Sequence, residues 1–186
     1  MDSTVTIITG PIGSGKSTAC RYIQKKDFKT VDLDLISKDI LESTTSLGFL
    51  KENFNECLNG NKINRKSLAD LVFTNSEKLK TLEGFLHPLV TLQVATLIQE
   101  TNGNLFIEAS APKNIHKLYK TIVIFADEQT RRNRLRSRGM TRTDIDNRIN
   151  TQPEESWWRS LGKVIVNTSY KELEAQIDNI LEVTHE

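Results

Sequence analysis

The chain has 186 residues, which at roughly 150 residues per domain predicts a single compact domain. Its 37% apolar and 26% charged residues, with a mean hydropathy of −0.40, exclude a disordered or fibrous chain. The longest unbroken apolar run, residues 122–126, falls far short of the about 20 residues a spanning helix needs. Met1-Asp2-Ser3 also puts an acid where a secretory signal is basic, so a cytoplasmic protein with no membrane partner is expected. Cys20 and Cys57 lie far apart and have no metal-ligand spacing, which suggests neither a disulfide framework nor a zinc site. A net charge of +1 predicts no general affinity for nucleic acid. The distribution of charge says more. Six of the ten arginines, Arg131, Arg132, Arg134, Arg136, Arg138 and Arg142, fall in twelve residues, and the remainder of the chain carries −5. A focused positive site of this kind suits a small polyanion.

Taken in chain order, residues 5–9 are a β-branched run ending in glycine and read as a buried strand. A helix over residues 17–25 and a short strand ending at Val31-Asp32 follow. Residues 35–99 have a helical period throughout, with Asn64 and Ser76 as N-caps and Pro88 as a first-turn proline. With strands on either side and none of its own, this stretch is expected to be a helical insertion of about residues 35–100. Strands return at residues 105–108 and 121–125, and Asp127 caps an arginine-bearing helix. Thr141 with Asp144, and Ser169 with Glu172, resemble capping boxes on either side of a last strand at residues 164–166. Strands alternating with helices predict an α/β fold of three layers, a five-stranded parallel sheet covered on both faces. Ligands in such folds bind beyond the carboxyl ends of the strands, where Asp32, Asp34, Glu108 and Asp127 are expected.

Residues 10–17, Gly-Pro-Ile-Gly-Ser-Gly-Lys-Ser, match G-x-x-x-x-G-K-[ST] in full, after a strand and before a helix. Gly10, Gly13 and Gly15 let the backbone of Pro11, Ile12 and Ser14 fold around a phosphate so that N–H groups converge on it. The helix from Ser17 and Thr18 onward adds the positive end of its dipole. Lys16 can reach the β- and γ-phosphates, and the Ser17 hydroxyl can ligate Mg²⁺. The guanine-reading and switch elements of GTPases are missing, as are the His-Arg-Asp and Asp-Phe-Gly elements of protein kinases and the third glycine of a dinucleotide fingerprint. A small P-loop kinase and a non-catalytic ATP-binding module both remain open.

A kinase acting on an alcohol needs a carboxylate to accept the hydroxyl proton. Asp34 is the better candidate, with Asp32 or Glu108 orienting magnesium-bound water; capping a turn or the next helix is the plainer role for either aspartate. Arg134 and Arg138 share a helical face at i, i+4, where like charges repel unless an anion lies between them. Arg138, beside Gly139 as a possible hinge, is a candidate lid arginine for the transferring phosphoryl group. Arg131, Arg132 and Arg136 read equally well as a solvated basic face. In the insertion, Arg65 could hold a substrate phosphate, and His87 with Pro88 could open a helix toward the cleft. Trp157 and Trp158 read as packing or lid residues, and Cys20 as core.

At these residues the sequence resembles the dephospho-coenzyme A kinase family over nearly the whole chain. The similar segments are residues 9–18, Val31-Asp-Leu-Asp34, Asn64-Arg65 followed by Leu68 and Val72-Phe73-Thr-Asn75, Leu86-His87-Pro88-Leu89, Arg134-x-x-x-Arg138, and Ile165-Val-Asn167. The resemblance implies a P-loop kinase domain over residues 1–186 with a helical acceptor-binding insertion and an arginine-rich lid at about residues 134–160. It implies transfer of the ATP γ-phosphate, with Mg²⁺, to the ribose 3′-hydroxyl of dephospho-coenzyme A, the last step of coenzyme A synthesis. It also implies that Lys16, Asp34 and Arg138 are catalytic, that Arg134 and Asn167 neighbour the adenine, and that Thr9, Asp34, Arg65 and His87 lie on the acceptor side. The chain departs from the family at residues 108–114, where Glu-Ala-Ser-Ala-Pro-Lys-Asn replaces Asp-x-Pro-Leu-Leu-x-Glu. It also has Lys38 in place of arginine and Gly162-Lys163 in place of an acidic pair.

Overall fold

The computed structural model of the chain describes residues 4–112 and 115–183; Met1, Asp2 and Ser3, and Lys113 and Asn114 of the divergent segment, lie outside them. The chain forms two compact units, residues 33–100 and the remainder.

The larger unit is built on five parallel strands: β1 (Thr4–Thr9), β2 (Lys29–Asp32), β5 (Asn104–Glu108), β6 (Lys120–Phe125) and β7 (Lys163–Val166). Their order is β2-β5-β1-β6-β7, which puts β1 at the centre. Side chains alternate between the two faces of a strand. Ile8, Phe106, Ile122, Ile124 and Ile165 pack on one face against α1 (Lys16–Lys25) and α9 (Tyr170–Val183), burying Ala19, Ile23, Leu173 and Ile177. Ile7, Leu105, Ile107 and Val123, on the other face by that alternation, are also fully buried. The expected α/β sheet, closed on both faces, is therefore present. The remaining helices of this unit are α6 (Glu128–Ser137), α7 (Arg142–Asn150) and α8 (Glu155–Ser160).

Most of the expected caps form. Asp127 accepts from Thr130 N–H at 2.9 Å and Thr141 from Asp144 N–H at 3.2 Å, while Ser169 accepts from Glu172 N–H at 3.3 Å. Trp158 is buried and its indole donates to the Pro153 carbonyl.

The smaller unit holds α2 (Leu33–Glu42), α3 (Leu47–Asn53), α4 (Arg65–Thr74) and α5 (Ser76–Glu100) around Leu50, Phe54, Cys57, Leu68 and Leu82. Four local expectations change here. A short antiparallel hairpin, β3 (Leu58–Asn59) with β4 (Lys62–Ile63), turns at Gly60 within the stretch read as wholly helical. Asn75 caps α5 in place of Ser76, its side chain accepting from the N–H groups of Glu77 and Lys78. Pro88 lies inside α5 and opens no helix. A mid-helix proline removes one hydrogen bond and costs ~3 kcal/mol, and α5 nevertheless runs through it from Ser76 to Glu100. Finally, α2 begins at Leu33, so Asp34 lies in its first turn and does not cap it.

By length and composition α5 reaches the range of a spanning segment, with a mean hydropathy of 1.2 over its most apolar 18 residues. Unbroken runs understate this because Glu83, Gly84 and His87 interrupt them. Part of that apolar surface serves packing: α2 and α4 lie against α5, and Leu82 and Val94 are buried.

The structure also gives a reason for the departure at position 162. A Cβ on Gly162 would come within 2.1 Å of the Thr121 carbonyl oxygen, whereas one on Gly48, inside α3, would meet nothing within 4 Å. The two glycines therefore respond in opposite senses to alanine. Gly162→Ala must displace backbone between β6 and β7 and is expected to cost about 1–3 kcal/mol. Gly48→Ala is expected to gain up to ~1 kcal/mol of helix propensity. Thermal unfolding of the two variants checks both signs.

Candidate active site

The site grows from the C-terminal end of the central strand. After Thr9 the chain turns through residues 10–15 and enters α1 at Lys16. Gly15, the residue before the helix, has φ of 106°, and a Cβ there would lie 2.2 Å from the Asn167 amide nitrogen. Gly13 has φ of 78°, and its Cβ would lie 3.0 Å from the Arg131 carbonyl oxygen. At both positions a side chain meets strain and a neighbour together.

The loop's carbonyls are all engaged. Lys16 Nζ donates to the Gly10 carbonyl at 2.9 Å and to that of Pro11 at 3.4 Å, which also accepts from Ser14 N–H at 3.2 Å. An Arg131 guanidinium N–H reaches the Ile12 carbonyl at 3.4 Å. Arg134 donates to the carbonyls of Gly13 at 3.5 Å and Ser14 at 3.0 Å, and the Asn167 amide also donates to Ser14 at 2.7 Å. The Gly15 carbonyl accepts from the N–H groups of Thr18 and Ala19. Gly15 supplies no side-chain cap to α1, and the N–H groups at the start of a helix, which precede its first full turn of hydrogen bonds, are the donors an oxyanion uses. Ser14 is fully buried, and its hydroxyl has no partner among the described residues.

Arg134 and Asn167 are joined to each other as well, since the Arg134 guanidinium donates to the Asn167 backbone carbonyl at 3.0 Å and to its side-chain oxygen at 3.3 Å. Burial and the nearby Arg138 charge push the Arg134 pKa down, and burial does the same to Arg131. Both remain cations, because a guanidinium does not lose its proton in proteins. Arg138 itself is exposed, and Gly139 next to it has φ of 84° with open space around it.

On the other side of the loop is a set of oxygen ligands. The Ser17 hydroxyl donates to Glu108 Oε1 at 2.7 Å, and Asp32 is the register partner of Glu108 across β2 and β5. A hydroxyl and two carboxylates at the strand ends form the hard-oxygen donor set that magnesium prefers, so these residues fit that ion.

The other residues singled out by sequence fall as follows. Thr9 is fully buried and its hydroxyl donates to the Ala109 carbonyl at 2.7 Å. Asp34, Arg65 and His87 are exposed residues of the smaller unit, on the first turn of α2, at the start of α4 and in the middle of α5. Arg131, which the sequence allowed as part of a solvated face, is instead buried against the loop. A signal for this existed: Arg131 lies four residues before buried Leu135, on the same helical face. The sequence reading also missed Gln152, whose side-chain oxygen accepts from Ile12 N–H at 2.9 Å. A lone glutamine beyond a helix end gives no comparable signal.

Cys20 lies on α1 and is 6% exposed. Burial pushes its thiol up, and the Glu108 carboxylate, by its charge and by accepting a hydrogen bond from the thiol, pushes it further. Only the thiolate alkylates readily. At pH 8, iodoacetamide is expected to spare Cys20 in the folded protein while labelling both cysteines after denaturation. Peptide mass spectrometry reads the outcome, and prompt labelling of Cys20 in the folded protein would contradict this placement.

Comparison with known proteins matches residues 4–173 to the sequence model of the dephospho-CoA kinase family. The dephospho-CoA kinase of Dehalococcoides mccartyi is 30% identical over 175 residues, which cover 87% of each chain. The crystal structure of TT1252 from Thermus thermophilus superposes with a TM-score of 0.87 at 29% identity, over 98% of both chains. Dephospho-CoA kinase from Campylobacter jejuni shares the fold at a TM-score of 0.76 and 24% identity, also over 98% of both chains.

Proposed function

This chain belongs to the dephospho-CoA kinase family, and we propose that it transfers the γ-phosphoryl group of ATP to the ribose 3′-hydroxyl of dephospho-coenzyme A. The observation that carries the donor half of this reading is the phosphate loop, with its carbonyls engaged from Gly10 to Gly15 and Lys16 against them. The acceptor half rests on the family, whose motifs extend through the smaller unit to Arg65 and His87.

In the reaction, the acceptor oxygen attacks the γ-phosphorus as the bond to the β,γ-bridging oxygen breaks, leaving ADP. The carboxylate of Asp34 takes the proton released from the attacking hydroxyl. Negative charge spreads over the equatorial phosphoryl oxygens and the leaving oxygen. Lys16 and the first-turn N–H groups of α1 counter that charge from the loop side. Arg138, next to the unobstructed Gly139, counters it from the lid formed by about residues 134–160. Ser17, Asp32 and Glu108 would hold magnesium, which when bound neutralises phosphate charge. Arg134 and Asn167 take the adenine side, while Arg65 and His87 take the acceptor.

With ATP and magnesium, the protein is expected to convert dephospho-coenzyme A to coenzyme A and ADP faster than it uses AMP, adenosine, shikimate or gluconate. A coupled ADP assay with mass analysis of the product checks this. Faster turnover of any control, or ADP release that no acceptor stimulates, would overturn the reading. Asp34→Asn removes the proton acceptor at nearly constant volume, and turnover should fall by at least ~10²-fold with ATP binding retained.

A further inference from the structure

Ile12 is held at both of its backbone polar groups by residues on either side of α7. Its carbonyl faces Arg131 on α6, and its N–H donates to Gln152, two residues beyond the end of α7. The second bond is the stronger, at 2.9 Å against 3.4 Å. Its effect passes through a peptide plane. The Ile12 N–H and the Pro11 carbonyl belong to one planar trans unit and point in opposite directions. With the N–H drawn outward to Gln152, the Pro11 carbonyl is turned the other way, where it accepts from Ser14 N–H and from Lys16 Nζ. The next peptide is reversed, its Ile12 carbonyl facing Arg131 and its Gly13 N–H turned the opposite way.

We propose that Gln152 is a positioning residue for phosphoryl transfer: by holding the Ile12 N–H it orients the Pro11–Ile12 peptide, and through that carbonyl it sets the loop turn and the resting place of the Lys16 ammonium. The proposal deepens the kinase reading above and rests on it for its catalytic consequence. Gln152 also anchors the chain after α7, while Arg131 and Arg134 anchor it before α7. Residues 138–151 thus run between two attachments to the same loop, and within them Asp146 of α7 is also paired with Arg132 of α6.

The test compares Gln152→Ala, which removes the acceptor, with Gln152→Glu, which keeps one at the same reach and adds a negative charge beside the phosphates. For Q152A we expect kcat about tenfold lower, the Kd for ATP within about threefold of wild type, and faster hydrogen exchange at the Ile12 amide. For Q152E we expect kcat and Ile12 protection restored, with ATP bound more weakly. The double variant Q152A/R131Q should lose little more kcat than the worse single variant, because both residues act on Ile12. Wild-type kcat in Q152A, failure of Q152E to recover it, or a loss of ATP affinity in Q152A as large as the loss of kcat would each overturn the proposal. If wild-type protein fails to use dephospho-coenzyme A, the kinase reading falls. Ile12 exchange in the two variants still decides whether Gln152 holds that peptide.

Discussion

Six consecutive peptide carbonyls, from Gly10 to Gly15, each accept a hydrogen bond from the protein, and the rest of the site depends on this. A peptide that turns its oxygen outward turns the following N–H the other way, so holding the carbonyls is how a chain with no charged backbone presents a cluster of donors. Arg131, Arg134 and Asn167 supply the outer donors, and each comes from an element that also closes the fold: α6 follows β6, and Asn167 follows β7. The close approach this requires explains the glycines, since a side chain on Gly15 would collide with the Asn167 amide that holds Ser14. Phosphate binding here is therefore a property of the whole parallel sheet, because β6 and β7 must pair in register before the loop has its outer donors.

The arginine cluster is divided by the structure into three tasks. Arg131 and Arg134 are directed at loop carbonyls. Arg132 is neutralised by Glu128 and Asp146, binding α6 to α7. Arg138 stays exposed next to Gly139. The +6 segment is consequently a weaker anion trap than its raw charge suggests, and Arg138 is the member of it to which the proposed reaction gives a catalytic role. Burial and like charge disfavour Arg134 as a cation, and a bound polyanion would relieve that cost.

Much of this was legible in the sequence, for physical reasons that differ by element. β1, β5 and β6 were clear because nearly all of their residues are buried and most are apolar or β-branched, while the edge strands β2 and β7, mostly unburied, showed only as short runs. The caps at Asn64, Asp127, Thr141 and Ser169 were clear because a short polar side chain before a helix has one favoured partner. Pro88 misled because proline favours a helix's first turn, whereas α5 has already begun at Ser76 and continues through it, and Asn75 was overlooked because Ser76 is nearly as good a cap. The hairpin at Gly60 is only two residues deep on each side, too short for a period to show. Gln152 was illegible, and Arg131 legible only as a buried residue of its helix, because the backbone group each meets lies more than a hundred residues away in the chain.

The central claim is that the outward-held carbonyls make the N–H groups at the start of α1 and the preceding loop the phosphate ligands. Amide proton and nitrogen chemical shifts of uniformly labelled protein, followed during titration with magnesium pyrophosphate, test it most directly. The account predicts large downfield shifts at Gly13, Gly15, Lys16 and Ser17, with the Ile12 amide staying near its unliganded position. Saturable binding that leaves those four amides unmoved, or that moves Ile12 in their place, would contradict it.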